Sequence, residues 1–119
     1  MQQQHCGLFI CTGHVKRFSY GTANELEAIL LDNLGGSFYS TILQSQKISL
    51  WMTGSRDHID AKHCNLMATR VWNDEQCWLD TPHFCENLFG NVIFLGNIDR
   101  LGAVNGLSDY EVDFLESFQ

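Results

Sequence analysis

Residues 37–54, SFYSTILQSQKISLWMTG, contain two runs of apolar, aromatic and β-branched residues separated by a short polar turn. In the second run Ile48, Leu50 and Met52 alternate with other residues, which is the two-residue period of a strand with one face turned to the core. Two such runs joined by a short turn predict an antiparallel hairpin. The other face carries Trp51 in a polar row, where the indole serves either cross-strand packing or a contact surface.

Two further stretches carry strong local signals. Residues 22–36, TANELEAILLDNLGG, predict a helix with a capping box of Thr22 and Glu25 at its start and a left-handed Gly35 at its end. Residues 88–97, LFGNVIFLGN, contain a continuous apolar run. Such a run is typical of a strand in the centre of a sheet.

The two ends of the chain supply the next elements. Residues 7–20 are rich in aromatic and β-branched side chains and predict one opening strand, with Gly13 as a bulge. Near the other end Ser108 and Glu111 form a second capping box, which predicts a helix over LSDYEVDFLESF. The apolar stripe of that helix consists of Val112, Leu115 and Phe118. Residues 73–87, NDEQCWLDTPHFCEN, are expected to form an irregular aromatic segment.

Residues 57–72 predict the remaining helix, which includes the sequence HCNLMATRVW at positions 63–72. At 100° per residue its apolar side chains fall on one broad face, which we expect to pack on the sheet. The side chains expected to make this contact are Leu66, Met67 and Val71. We expect Cys64 to be a buried thiol and Asn65 to bind nearby backbone.

Together these elements predict an α+β fold, a mainly antiparallel sheet of four to five strands with two to three helices packed on it. The chain has 119 residues, no repeat and no Pro/Gly/Ser linker, so residues 1–119 are expected to form a single domain. A domain of this size buries roughly two-thirds of its unfolded surface, so its core needs no disulfide or metal.

The charge of the chain is acidic and unevenly distributed. Fourteen Asp and Glu residues stand against seven Lys and Arg residues, for a net charge of −7. From Asp74 to the end, nine acidic residues stand against Arg100 alone, so this section carries −8. Such a field repels nucleic acid and attracts basic partners, and direct binding of DNA or RNA is therefore not expected. No apolar run is long enough to predict a membrane span.

Five cysteines and five histidines raise the question of a metal site. Structural zinc sites use two close ligand pairs such as C-x₂-C, and this sequence lacks them. Three looser groups remain: Cys6 with Cys11 and His14, His83 with Cys85, and Asp60 with His63 and Cys64. We interpret these side chains as ordinary thiols and imidazoles and predict no metal and no cofactor. The odd number of cysteines and the start MQQQHCGLFICTG, which lacks the features of a signal peptide, predict reduced thiols in a cytoplasmic protein.

The sequence also lacks the short motifs of common enzymes. It contains no G-x-S-x-G, no P-loop, no G-x-G-x-x-G and no zinc-deaminase pattern of H-x-E with C-x-x-C. A Cys–His nucleophile pair can be proposed for any chain with five cysteines and five histidines, so their number is weak evidence for catalysis. We predict that the protein is not an enzyme.

Four short motifs occur in an order similar to that of a known family. They are Leu34-Gly35-Gly36, Asn65 with Ala68-Thr69, Gly90-Asn91-Val92-Ile93 and Gly106-Leu107-Ser108-Asp109. With these motifs, over residues 22–117, the chain resembles an uncharacterised domain family carried by phages, plasmids and other mobile elements. It departs from that pattern in residues 53–64, which look more helical, and in residues 74–87, which look like an insertion. The resemblance implies an accessory protein of a mobile element, and such proteins often block host defences.

The leading hypothesis is a non-enzymatic inhibitor that binds a host defence complex, of the anti-CRISPR or anti-restriction type, in the cytoplasm of a bacterial host cell. The partner is a host defence protein or ribonucleoprotein complex, and a homodimer is left open as the assembly state. The side chains expected to bind the partner are Asp109, Glu111, Asp113, Glu116 and Trp51.

Two alternatives stay open. A small-ligand binder that sequesters a nucleotide signal would use a pocket containing Trp51, Arg56 or Arg70. A metalloprotein would use the cysteines and histidines. A deep polar pocket with convergent aromatic and arginine side chains would favour the ligand binder, whereas a flat acidic face would not.

Overall fold

The computed structural model describes residues 4–11, 14–53, 64–77, 79 and 87–119 of the chain. These residues form an antiparallel sheet of five strands and three helices, so the predicted α+β fold is confirmed. The strands are His5–Cys11 (β1), His14–Tyr20 (β2), Phe38–Leu43 (β3), Ile48–Thr53 (β4) and Val92–Leu95 (β5). The helices are Ala23–Leu34 (α1), Leu66–Cys77 (α2) and Asp109–Glu116 (α3). The order of strands in the sheet is β2-β1-β5-β4-β3.

The central strand β5 consists of four consecutive apolar residues. Val92, Ile93, Phe94 and Leu95 are all fully buried, which confirms the prediction of a central strand. Successive side chains of a strand point to opposite faces, so Val92 and Phe94 enter one core while Ile93 and Leu95 enter another. An apolar residue at every position is stable only where both faces of the sheet are covered.

Helices cover both faces of the sheet. α2 and α3 pack on one face, where Val71 and Leu115 belong to the larger core. α1 packs on the opposite face, where Leu30 belongs to a second core. The row of β4 that contains Trp51 faces this second core, and the indole lies against Phe38 of β3, with ring centroids 5.9 Å apart. Of the two roles left open for Trp51, cross-strand packing is therefore the one observed.

The first hairpin corrects the prediction of a single opening strand over residues 7–20. β1 and β2 are separate antiparallel strands, and Cys11 and His14 are partners in their register. The chain therefore reverses direction between Cys11 and His14. The predicted bulge at Gly13 lies outside the described residues. Both strands are rich in β-forming residues, so strand propensity alone did not reveal where one ends and the next begins.

The start of α2 corrects the prediction of a helix over residues 57–72. α2 begins at Leu66, and Cys64 forms an isolated antiparallel bridge with Phe89 instead of continuing the helix. Residues 57–63 lie outside the described part of the chain. Asn65 Oδ1 accepts a hydrogen bond from Ala68 N at 3.2 Å, as an N-terminal cap does. Asn65 Nδ2 also donates to Ile10 O at 3.0 Å and to Gly90 O at 2.8 Å, which confirms that it binds nearby backbone. Cys64 is only half-buried.

Two of the three core contacts predicted for α2 are confirmed. Met67 and Val71 are buried against the sheet, whereas Leu66 is 63% exposed. Since α2 starts at Leu66, this side chain sits at the rim of the helix, about 100° from Met67, and points away from the core. The helix also extends past Trp72 to Cys77, so the first part of the segment expected to be irregular is helical.

The three helices of the described residues contain 12, 12 and 8 residues, and none of them is long and apolar enough to cross a membrane. At the start of α1 the side chain of Thr22 accepts from Glu25 N, while Glu25 accepts from Gly21 N rather than from Thr22 N. α3 has the complete predicted capping box of Ser108 and Glu111. Gly35 ends α1 with a positive φ of 82°, as predicted, but its ψ of 177° is extended rather than left-handed helical.

Candidate functional site

One side of α3 is exposed to solvent. The helix turns Val112 and Leu115 into the core, which leaves Asp109, Tyr110 and Asp113 on the outside. Tyr110 is 71% exposed. Residues four apart lie one turn apart on the same side of a helix, so the two aspartates form one acidic row and Tyr110 lies next to it. We call Asp109, Tyr110 and Asp113 the α3 surface.

The two predicted glutamates of α3 make contacts within the chain. Glu111 accepts a hydrogen bond from Ser108 N at 2.8 Å and so belongs to the capping box. Both carboxylate oxygens of Glu116 are bonded by the guanidinium of Arg17 on β2, whose Nε donates at 3.2 Å. This hydrogen bond lowers the pKa of Glu116 and raises the pKa of Arg17. Asp113 lies 4.0 Å from the same guanidinium at the edge of the contact.

Trp51 lies on the other face of the sheet from α3. Its Nε1 donates to Ser49 Oγ at 2.9 Å, and Ser49 Oγ donates in turn to Gly96 O at 2.7 Å. The indole N–H is therefore used inside the protein. The five side chains predicted to bind a partner do not form one surface, because four belong to α3 and Trp51 belongs to the core beneath α1.

Arg70 and Trp51 line different cavities. Arg70 is exposed on α2 and borders a cavity of about 220 Å³ together with Cys11, His14, Cys64 and Phe118. Its Nη1 donates to the carbonyl of Phe118 at 3.5 Å. Arg56 lies outside the described residues. The structure therefore does not bring Trp51 and Arg70 into one pocket.

The structure describes only some of the side chains in the candidate metal-binding groups. Among the described residues, no three His, Cys, Asp or Glu side chains lie close enough together to hold a metal ion. Cys6, Cys11, Cys64 and Cys77 are free thiols. Burial raises the pKa of the Cys6 thiol, which disfavours the thiolate that a metal requires. The candidates Asp60, His63, His83 and Cys85 lie in the part of the chain that the structure does not describe.

A larger cavity, which we call the α1 cavity, was missed by the sequence analysis. It has a volume of about 330 Å³ and lies between the start of α1, the sheet and the segment of residues 102–104. Its walls include His5, Tyr20, Leu26, Phe38, Trp51 and Val104. Only Trp51 was predicted as a site residue, since the spacing of the others in the sequence gives no signal that they meet.

The chain was compared with protein families, curated proteins and solved structures. It matches no family model, no curated protein and no solved structure. The resemblance to the mobile-element family, on Leu34-Gly35-Gly36 and the three later motifs, therefore stays a prediction.

Proposed function

We propose that this protein is a non-enzymatic inhibitor that binds a host defence complex, of the anti-CRISPR or anti-restriction type, through the α3 surface. The observation that carries the proposal is the exposed ring of Tyr110 beside the exposed Asp109 and Asp113, on a helix that Val112 and Leu115 anchor in the core. The resemblance to proteins of mobile elements supports the kind of partner. The proposed place of action is the cytoplasm of a bacterial host cell, without direct contact to nucleic acid and with a homodimer left open.

The chemistry of the α3 surface fits a basic protein partner. Tyrosine is enriched among the few residues that contribute most of the binding energy of interfaces, because its large ring is rigid and its hydroxyl remains able to hydrogen-bond. Asp109 and Asp113 attract lysine and arginine, which line the channels that hold nucleic acid. The guanidinium of Arg17 on β2 bonds the carboxylate of Glu116, so the end of α3 is joined to the sheet. A partner bound here would lose access to its nucleic acid by occlusion.

The test is recovery of the partner with and without the aromatic ring. The tagged chain and its Tyr110→Ala variant are used to capture proteins from a nuclease-treated bacterial lysate that contains restriction and CRISPR systems. We expect a nuclease or effector subunit in stoichiometric amount with the original chain, and about tenfold less or lower with the variant, as for truncation of an interface hot spot. Tyr39→Ala is the matched control, since Tyr39 is 51% exposed on β3, away from α3.

A pair of charge reversals tests the electrostatic part. Asp113→Lys and Asp32→Lys change the net charge equally, but Asp32 lies on α1, on the opposite face of the sheet. We expect only Asp113→Lys to weaken capture. The proposal is contradicted if no defence component is recovered, or if recovery is the same for the Tyr110→Ala and Tyr39→Ala variants.

A further inference from the structure

The outer edge of β3 is not paired with any strand in the described part of the chain. β3 and β2 are the two ends of the sheet, because the strand order is β2-β1-β5-β4-β3. The backbone N–H and C=O groups along the free side of an edge strand are able to pair with a strand of another chain. The side chains of β3 are accessible as well: Tyr39 is 51% exposed, Ile42 is 40% exposed, and Ser40 between them is exposed.

The two edges of the sheet differ in charge. On β2 the exposed Lys16 and Arg17 are charged, and Arg17 is bonded to Glu116 of α3. Charged side chains commonly protect an edge strand from pairing with another chain, as do prolines and bulges. β3 contains no charged residue and no proline, its register with β4 is continuous, and residues 37–46 as a whole carry no charge. The edge at β3 therefore lacks the protection that the edge at β2 has.

The distribution of charge allows a second copy of the chain to approach at β3. Each copy carries −7, so two copies repel each other wherever their acidic surfaces meet. The acidic helix α3 is bonded to β2, at the opposite end of the sheet. Neighbouring strands lie about 4.8 Å apart, so the four spacings between β2 and β3 amount to about 19 Å. The uncharged edge is thus the edge farther from α3.

The sequence of β3 matches itself when the strand is reversed. In a two-fold symmetric antiparallel pair, opposite residues lie on the same face of the sheet, so their positions differ by an even number. With Ser40 opposite Ser40 of a second copy, Tyr39 lies opposite Thr41, and Phe38 lies opposite Ile42. Aromatic side chains opposite β-branched ones, and hydroxyls opposite each other, are among the favourable cross-strand pairs. This match favours a second copy of the chain over a strand of another protein.

From these observations we propose that β3 pairs antiparallel with β3 of a second copy, with Ser40 at the two-fold axis, and that the two five-stranded sheets join into one sheet of ten strands. This homodimer goes beyond the proposed inhibition and does not depend on it. The two α3 helices lie toward the outer ends of the joined sheet, because each is bonded to its own β2. Each copy therefore keeps its α3 surface free for a partner, and Tyr110→Ala is expected to leave the dimer unchanged.

Sedimentation equilibrium of the purified chain at increasing concentration measures the assembly state. We expect the mass to rise from 13.6 kDa toward twice that value, with a Kd between about 1 μM and 1 mM, as for a small interface. Ser40→Lys places like charges opposite each other and should weaken the dimer at least about fivefold. Ser19→Lys adds the same charge at an exposed position of the other edge strand and should leave the Kd unchanged. Circular dichroism checks that both variants are folded.

A mixture of opposite charges tests the register. Ser40→Glu alone should weaken the dimer as Ser40→Lys does, whereas the two variants mixed should form a dimer at least as tight as the original, because their charges attract. Native mass spectrometry with one variant ¹⁵N-labelled distinguishes this mixed dimer by its mass. A monomer at about 1 mM would overturn the proposal and leave the edge of β3 to a strand of another protein. Equal effects of Ser40→Lys and Ser19→Lys, or a mixture that dimerises no better than each variant alone, would also overturn it.

Discussion

Arg17 and Glu116 form a contact between side chains that are 99 positions apart in the sequence. The bond joins the first hairpin to the last helix. Both groups reach solvent, so screening keeps their contribution to the stability of the fold small. The contact joins the end of α3 to β2, while the burial of Val112 and Leu115 holds the helix on the sheet. It also removes Glu116 from the carboxylates available to a partner.

The titration of Glu116 follows from this contact. Because the folded pKa of Glu116 is lowered from its usual value of 4.5, the stabilisation is present above that value and is lost as the pH falls through the folded pKa. We expect Arg17→Met to move the inflection of the Glu116 side-chain carboxyl, followed by ¹³C NMR, upward toward its usual value. Lys16→Met removes the same charge from a neighbouring exposed position and should change it much less. An equal shift in both variants would show that general charge, not this bond, lowers the pKa.

At the scale of elements, the apolar period of α2 predicted its buried residues correctly but not the residue at which the helix begins. The apolar spacing of the segment identifies Met67 and Val71 as core residues, and both are buried. Leu66 lies about 100° from Met67 and about 140° from Val71 around the helix axis, at the edge of the broad stripe, and it is exposed. The buried face of α2 is therefore narrower than its apolar pattern suggested.

Truncation of neighbouring side chains tests this rotation of α2. Met67 is 8% exposed, and Met67→Ala is expected to lower the free energy of unfolding by about 2–5 kcal/mol, through lost burial and the cavity that remains. Leu66→Ala, one residue away, is expected to change it by less than about 0.5 kcal/mol, as is usual at the surface. Urea denaturation followed by circular dichroism measures both. A larger effect for Leu66→Ala would contradict the observed face.

At the scale of the whole molecule, one sheet separates two cores. β5 contributes alternate side chains to each of them, so neither core is complete without the strand that it shares with the other. The α3 surface lies on the outside of the layer formed by α2 and α3, and the α1 cavity lies in the other layer.

The shared strand predicts that both cores unfold in a single transition. Ile48 belongs to the core beneath α2 and α3, and Ile93 to the core beneath α1. With ¹³C-labelled isoleucine methyl groups, we expect their native NMR signals to disappear at the same urea concentration. Leu30→Ala, made in the α1 core alone, should lower both midpoints equally and cost about 2–5 kcal/mol. If only the Ile93 signal moved, the two layers would unfold as separate units.

The position of the α3 surface could be predicted from the sequence, but the contacts of its side chains could be predicted only in part. The capping box of Ser108 and Glu111 located α3, and the apolar spacing showed that Asp109 and Asp113 lie outside. The bond of Glu116 to Arg17 was not visible, because no local pattern relates residues so far apart. Tyr110 was not predicted to bind a partner, although its position relative to the buried stripe of α3 indicates that it is exposed to solvent.

By itself the sequence determined the α+β class, the central position of β5, the hairpin of β3 and β4, and the capped helices α1 and α3. These features depend on periods and caps formed by residues within about four positions of one another. Only the tertiary structure decided that Trp51 packs against Phe38 and the core beneath α1, that Glu116 is bonded across the chain, and that Tyr20 and Trp51 line one cavity. Each of these depends on which distant elements pack together, and the local pattern of any one element carries no record of its neighbours.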